Sequence, residues 1–117
     1  MKKVLIVEDE LVIATVLKLQ LQHAGYEVIN VTTAEAAISK TLEFKPDCIV
    51  MDIFLKNGGN GIDTARAIRD MQIETLIIFT TGNSYENTKE KLTGISNYQL
   101  LIKPVEFNHL EEFLKNL

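Results

Sequence analysis

The chain has 117 residues, 46% of them hydrophobic and 24% charged, which is the size and composition of one globular domain with one core. Its net charge of -4 offers no basic surface for nucleic acid or anionic lipid. No apolar run approaches the roughly 20 residues a membrane span needs, and the opening "MKKVLIVEDE" is too short in apolar residues for a signal peptide. The single Cys48 lies inside an apolar run and reads as a small buried hydrophobe. A soluble cytoplasmic protein without disulfides is expected.

In chain order, "VLIV" at 4–7 is the first predicted strand, followed by an apolar stripe of Ile13, Val16, Leu17, Leu21 and Ala24 that predicts a helix over 10–24, with Gly25 as its stop. "EVINVT" at 27–32 predicts the second strand. Ala37, Ile38 and Leu42 mark a helix over 34–44, halted by Pro46, which disfavours helix at Lys45. "CIVM" at 48–51 is the third strand, and Ile62, Ala65, Ile68 and Met71 place a helix over 62–71. "TLIIFT" at 75–80 is the fourth strand. The segment 84–93, "SYENTKEKLT", is the weakest predicted helix, with Ser84 as its N-cap and only Tyr85 and Leu92 as large apolar residues. Such a polar helix is loosely held and is a candidate moving part. "QLLIK" at 99–103 is the fifth strand, and Phe107, Leu110, Phe113, Leu114 and Leu117 define a helix over 106–117.

The strands are continuously apolar rather than alternating, as in sheets covered on both faces. Five strands alternating with five helices therefore imply an α/β, doubly wound parallel sheet of the flavodoxin-like kind. In such sheets, ligands bind beyond the carboxyl ends of the strands. At those ends stand Glu8, Asp9 and Glu10 after the first strand, Asp52 after the third, Thr80-Thr81-Gly82 after the fourth, and Lys103-Pro104 after the fifth. If the strand order is 2-1-3-4-5, these groups converge. Two charges ~4 Å apart interact by about 4 kcal/mol at an effective dielectric near 20, roughly three pKa units, so several carboxylates cannot all stay ionised there without a cation. Lys103 supplies one positive charge, and a hard divalent ion such as Mg²⁺ is the other remedy. Taken singly, each group has an ordinary reading: acids at a helix N-terminus, a turn cap, a solvated lysine. Their coincidence at one rim is what points to chemistry.

With these residues in place the sequence resembles a response-regulator receiver domain of two-component signalling, from "VLIVEDE" through "MDIFL" and "IIFTTG" to "LLIKP". The resemblance covers essentially residues 1–117 as one receiver domain, with no output domain expected in this chain, whether it stands alone or is cut from a longer protein. It supports the order 2-1-3-4-5 with five helices. It implies Asp52 as phosphoacceptor, and Mg²⁺ as cofactor, bound by Glu8, Asp9, Asp52 and the backbone carbonyl of Phe54. It implies Thr81 and Lys103 as phosphoryl-binding and switch residues, and a cis peptide bond before Pro104. Of the two hydroxyls, the small Gly82 that follows favours Thr81 over Thr80, since adjacent strand residues face opposite ways. The donor implied is a histidine kinase or phosphotransfer protein. The surface of the fourth helix, fifth strand and fifth helix would serve a downstream protein or a homodimer, with no nucleic acid or membrane partner. A degenerate receiver that binds partners without phosphorylation is the alternative.

The pattern departs from the resemblance in four places. Lys56-Asn57 stands where many receivers have Pro-Gly, and Gly61 comes nine positions after Asp52, making the loop one residue longer than usual. Leu100 occupies the usual aromatic switch position, with Tyr98 two residues back on the same face. Phe54 and Asn83 hold the positions that tune dephosphorylation. No G-x-G-x-x-G or G-x-x-x-x-G-K-[ST] occurs, and Glu-Asp-Glu after the first strand would repel a bare flavin phosphate. A haloacid-dehalogenase phosphatase would need a second aspartate where Phe54 stands.

Overall fold

The computed structural model describes residues 1–56 and 59–117. Along the chain run β1 (Lys3–Val7), α1 (Leu11–His23), β2 (Glu27–Val31), α2 (Ala34–Phe44), β3 (Cys48–Asp52), α3 (Gly61–Asp70), β4 (Leu76–Thr81), α4 (Tyr85–Lys89), β5 (Tyr98–Ile102) and α5 (Phe107–Leu114). All strand pairs are parallel, as the apolar strand pattern predicts, and the order is β2-β1-β3-β4-β5, as the resemblance implies. Because successive side chains alternate, each apolar strand feeds two cores. Leu5, Ile49, Met51, Ile77 and Phe79 pack with Ala65 and Ile68 of α3 and Phe44 of α2. Val4, Ile6, Val50 and Ile78 pack on the other face with Leu17 and Leu21 of α1 and Leu110 and Leu114 of α5. Cys48 is fully buried in this second core, and that burial pushes its thiol pKa far up.

The helix starts follow from capping chemistry. Thr33 accepts from the Ala36 N–H, Asn60 from the Asp63 N–H at 2.8 Å, and Ser84 from the Asn87 N–H, each satisfying an orphan donor of a first turn. Gly25 follows α1 at φ +99°, the left-handed turn that only glycine takes without strain.

Several predicted helix faces need correction. In α1, Ala14, Leu17 and Leu21 are buried, whereas Ile13 and Val16 are 38% and 51% exposed. The helix carries apolar residues around much of its circumference, so the sequence stripe was too broad and only the i, i+3, i+7 line meets the sheet. In α2 the buried residues are Ala37, Thr41 and Phe44, while Leu42 faces outward. Thr41 enters the core because its hydroxyl donates to the Ala37 carbonyl at 2.7 Å. Met71 is a half-exposed C-cap rather than part of the buried face of α3. The predicted helix over 84–93 is five residues of α-helix followed by a 3-10 turn at Glu90–Leu92, and α5 stops at Leu114.

Both the segment after α4 and the connection from α3 to β4 are held by arginines of α3. The Arg66 guanidinium donates to the carbonyls of Lys91 and Thr93, and that of Arg69 to Ile73, Thr75, Ser96 and Asn97. A planar guanidinium with five donors suits such convergent carbonyls.

Candidate functional site

The site forms where the strands end. β1 ends at Val7, and the chain continues as Glu8-Asp9-Glu10, with the Glu8 N–H still donating to the Val31 carbonyl at 3.0 Å. β3 carries Asp52 as its last residue, paired in register with Thr80 of β4. Ile53 leaves the sheet with its N–H on the Thr80 carbonyl, and its own carbonyl accepts from the Gly61 N–H at 2.8 Å. The start of α3 is thereby pressed against the end of β3. A Cβ at Gly61 would overlap the Asp52 carbonyl oxygen and lie 2.8 Å from Met51 Cγ, so only glycine fits.

These elements bring the expected groups together. Lys103 Nζ lies 3.0 Å from Glu8 Oε1 and 3.1 Å from Asp52 Oδ2. The second oxygen of each carboxylate takes a backbone donor: Glu8 Oε2 from the Glu10 N–H at 3.1 Å, Asp52 Oδ1 from the Phe54 N–H at 3.2 Å. Asp9 Oδ2 accepts from the Lys56 N–H at 2.6 Å. Carboxylate oxygens of Glu8, Asp9 and Asp52 all lie within 4.8 Å of one another. Glu8 and Asp52 are buried, with only 4% and 5% of their surfaces exposed.

The Asp52 pKa is raised from 3.8 to about 6, first by burial and then by the nearby Glu8 charge, with Lys103 working against both. Burial alone would lower the Lys103 pKa, but its hydrogen bonds to Glu8 and Asp52 outweigh that and hold it above the ordinary value. One ammonium therefore faces three acids. A donor set of hard carboxylate oxygens with uncompensated negative charge fits a small divalent cation such as Mg²⁺.

The two threonines part company. Thr81 lines a depression of about 430 Å³ together with Asp9, Asp52, Phe54, Asn83 and Lys103. Thr80 lines a separate cleft on the α1 side. Thr81 Oγ1 accepts from the Asn83 N–H at 3.1 Å, and its carbonyl from the Lys103 N–H at 2.7 Å. The Lys103–Pro104 bond is cis. Phe54 sits at the rim of the depression, 70% exposed. Tyr98 and Leu100 both pack against the core on the α4 side, Tyr98 edge-on to Phe79 at 5.8 Å between centroids, as the same-face expectation required. In the lengthened loop, Asn57 and Gly58 lie outside the described residues.

Two contributors escaped the sequence reading. Lys56 acts on Asp9 through its backbone N–H, which no residue type announces. Asn30 bridges carbonyls at the end of β1. An amide inside the otherwise apolar pattern "EVINV" was the available signal.

Comparison with known proteins agrees with this fold. The family described as "Response regulator receiver domain" matches residues 4–115. The response regulator ArlR of Staphylococcus haemolyticus is 34% identical over 112 residues, covering 94% of this chain and 49% of that protein. The alkaline phosphatase synthesis transcriptional regulatory protein PhoP of Bacillus subtilis is 35% identical over 88 residues, 75% of this chain and 36% of that protein. The chain thus spans half or less of the length of these relatives. Among solved structures, chemotaxis protein CheY4 of Vibrio cholerae superposes with a TM-score of 0.90 at 26% identity, covering 99% of this chain and 98% of that one. The receiver domain of Francisella response regulator 1452 gives 0.89 at 25% identity over 99% of this chain and 95% of that one. No described helix is long and apolar enough to cross a membrane. With an acid cluster, a lysine and a hydroxyl at the carboxyl edge of a β2-β1-β3-β4-β5 sheet, this chain belongs to the response regulator receiver domain family.

Proposed function

We propose that the chain is a phosphoryl-accepting switch in which Asp52 takes a phosphoryl group from a histidine kinase or phosphotransfer protein. The observation that carries this is the position of Asp52: a buried carboxylate with Lys103 on one oxygen and two further acids alongside. In the transfer, an Asp52 carboxylate oxygen attacks phosphorus in line, a P–O bond forms, and the P–N bond of the phosphohistidine breaks with its electron pair left on the imidazole. Glu8, Asp9, Asp52 and the Phe54 carbonyl would hold Mg²⁺, which when bound neutralises charge on the phosphoryl oxygens. Lys103 has three N–H donors, two of them engaged by Glu8 and Asp52, so it can pass to a phosphoryl oxygen without crossing the site. The chain's own residues thereby promote the transfer. Thr81 would give up its present partner, the Asn83 N–H, to meet the phosphoryl group, drawing on the turn before α4. The α4–β5–α5 face is the proposed output surface for a downstream protein or a second copy.

The donor has a natural landing place. A cleft of about 500 Å³ between α1 and the Pro104–Val105 turn shares Glu8 and Lys103 with the site and is walled by Val12, Ile13 and Val16. Leu11, Val12 and Leu19 add exposed apolar surface along α1. Apolar patches of this kind mark protein contacts, and a donor covering this one would bring its phosphohistidine beside Asp52.

Incubation with Mg²⁺ and a small acyl phosphate, followed by intact mass, is the test. A gain of one phosphoryl group, absent from Asp52→Ala, is expected; no gain in the parent chain overturns the reading in favour of a phosphorylation-independent interaction module. Phe54 cannot orient water, so Phe54→Asn is expected to shorten the phosphoryl lifetime. A change on the order of tenfold corresponds to about 1.4 kcal/mol, the scale of one hydrogen bond to the attacking water. An unchanged decay of the phosphorylated mass would show that Phe54 does not set the lifetime.

A further inference from the structure

Asn30 is the fourth residue of the five-residue β2, an edge strand of the sheet, and its Cα pairs with that of Ile6. Its side-chain Nδ2 lies 3.1 Å from the Ile6 carbonyl oxygen, 3.2 Å from that of Val31 and 3.4 Å from that of Glu8. Three acceptors around one atom fix it as the nitrogen, because the amide oxygen in that place would face three carbonyl oxygens. Ile6 lies within β1 and Glu8 just past its end, while Val31 is the last residue of β2 itself. The main chain of Glu8 thus meets β2 on both sides: its N–H donates to the Val31 carbonyl at 3.0 Å, and its C=O lies 3.4 Å from the Asn30 amide nitrogen, the longest of the three contacts that two N–H bonds share.

The Glu8 carbonyl belongs to the planar peptide that joins Glu8 to Asp9. Fixing that plane constrains the Cα–Cβ directions of both acids together. We propose that Asn30 is a positioning residue for the acid cluster: by holding the Glu8–Asp9 peptide, it makes the two carboxylates converge with Asp52 on one divalent cation. An apolar residue at position 30 would leave the Glu8 carbonyl to water and the acids free to spread under their mutual repulsion. Asn30 is partly exposed on an edge strand, so its contribution falls on cation affinity more than on the fold. The inference rests on the cation reading of the acid cluster given above.

The test is direct binding of Mn²⁺, followed by the electron paramagnetic resonance of the free ion, to the full chain and to Asn30→Leu. Partners one shell out from a metal ligand typically change affinity 10- to 100-fold. The low end is expected, with Mn²⁺ affinity falling roughly tenfold and the urea midpoint staying near that of the parent. The Mg²⁺ concentration for half-maximal phosphorylation should rise by the same factor while the saturating rate is unchanged. Asn30→Ser cannot reach all three carbonyls and gives the same readout should leucine impair folding; Asn30→Gln, with the same amide head, should recover part of the loss. Unchanged Mn²⁺ affinity in Asn30→Leu and Asn30→Ser overturns the proposal, whatever their stability. A parent chain that binds no Mn²⁺ overturns the cation reading as well, so the two failures are told apart.

Discussion

At pH 7 the Asp52→Asn variant is expected to unfold at a higher urea concentration than the parent chain, even though it removes the residue on which the proposed activity depends. Asp52 is buried beside Glu8, and its native pKa is raised from 3.8 to about 6. Between those values the native state holds a proton that the unfolded state has released, so stability falls as pH rises from about 4 to about 6. Above that window the penalty is fully present. Two pKa units correspond to about 3 kcal/mol at most, a net figure that already contains the opposing pull of Lys103, so a gain of roughly 1–3 kcal/mol is expected. The difference between variant and parent should close as pH falls below about 4, where both side chains are neutral. Mg²⁺ should narrow it at pH 7 by stabilising the parent selectively, by about 2.7 kcal/mol at a hundred times its dissociation constant. Urea titrations at pH 4 and 7, with and without Mg²⁺, measure all of this. A parent chain more stable than Asp52→Asn at pH 7 without Mg²⁺ would show that the Lys103 contacts outweigh burial and repulsion.

Gly61→Ala is expected to act in the opposite direction, against its intrinsic preference. Alanine is favoured over glycine in a helix interior by about 1 kcal/mol, and less at a first turn. Here the added Cβ would overlap the Asp52 carbonyl oxygen and lie 2.8 Å from Met51 Cγ. The first of these atoms is backbone in the central strand of the sheet and cannot rotate away. Overpacking of this kind costs typically 1–3 kcal/mol, so a net loss of about 2 kcal/mol is expected in urea unfolding. Relief requires α3 to move off β3, which also displaces Asp52 and the loop carrying Phe54. Phosphorylation by a small acyl phosphate should therefore slow even under conditions where the variant is fully folded. A variant as stable as the parent would mean that this junction is more yielding than its contacts imply.

The fold and the acid site differ in how much of them could be read from the chain. Continuous apolar runs such as "VLIV" and "CIVM" reveal parallel strands covered on both faces, because no alternation survives when both sides are buried. The cap at Ser84 and the stop at Gly25 are local chemistry, readable within a few residues. Helix burial was less legible. In α1, apolar residues surround much of the helix, and which of them meet the sheet depends on how the helix crosses it, a property of the packed molecule.

For the site, residue types at the strand ends determined the candidates: Glu8, Asp9, Asp52, Lys103 and the Thr80/Thr81 pair. The alternation of strands and helices also determined the doubly wound class, while the strand order that gathers these ends at one rim came with the family resemblance. Only the tertiary structure decided which threonine shares a depression with Asp52, because facing depends on where β4 ends relative to β3. Only it showed that Lys103 bridges Glu8 and Asp52, that a backbone N–H of Lys56 reaches Asp9, and that Asn30 braces the acid loop from β2. These contacts span from 22 to 95 positions of sequence. The Lys56 and Asn30 contacts each use a main-chain donor or acceptor that every residue carries, so no pattern of side-chain types could have placed them.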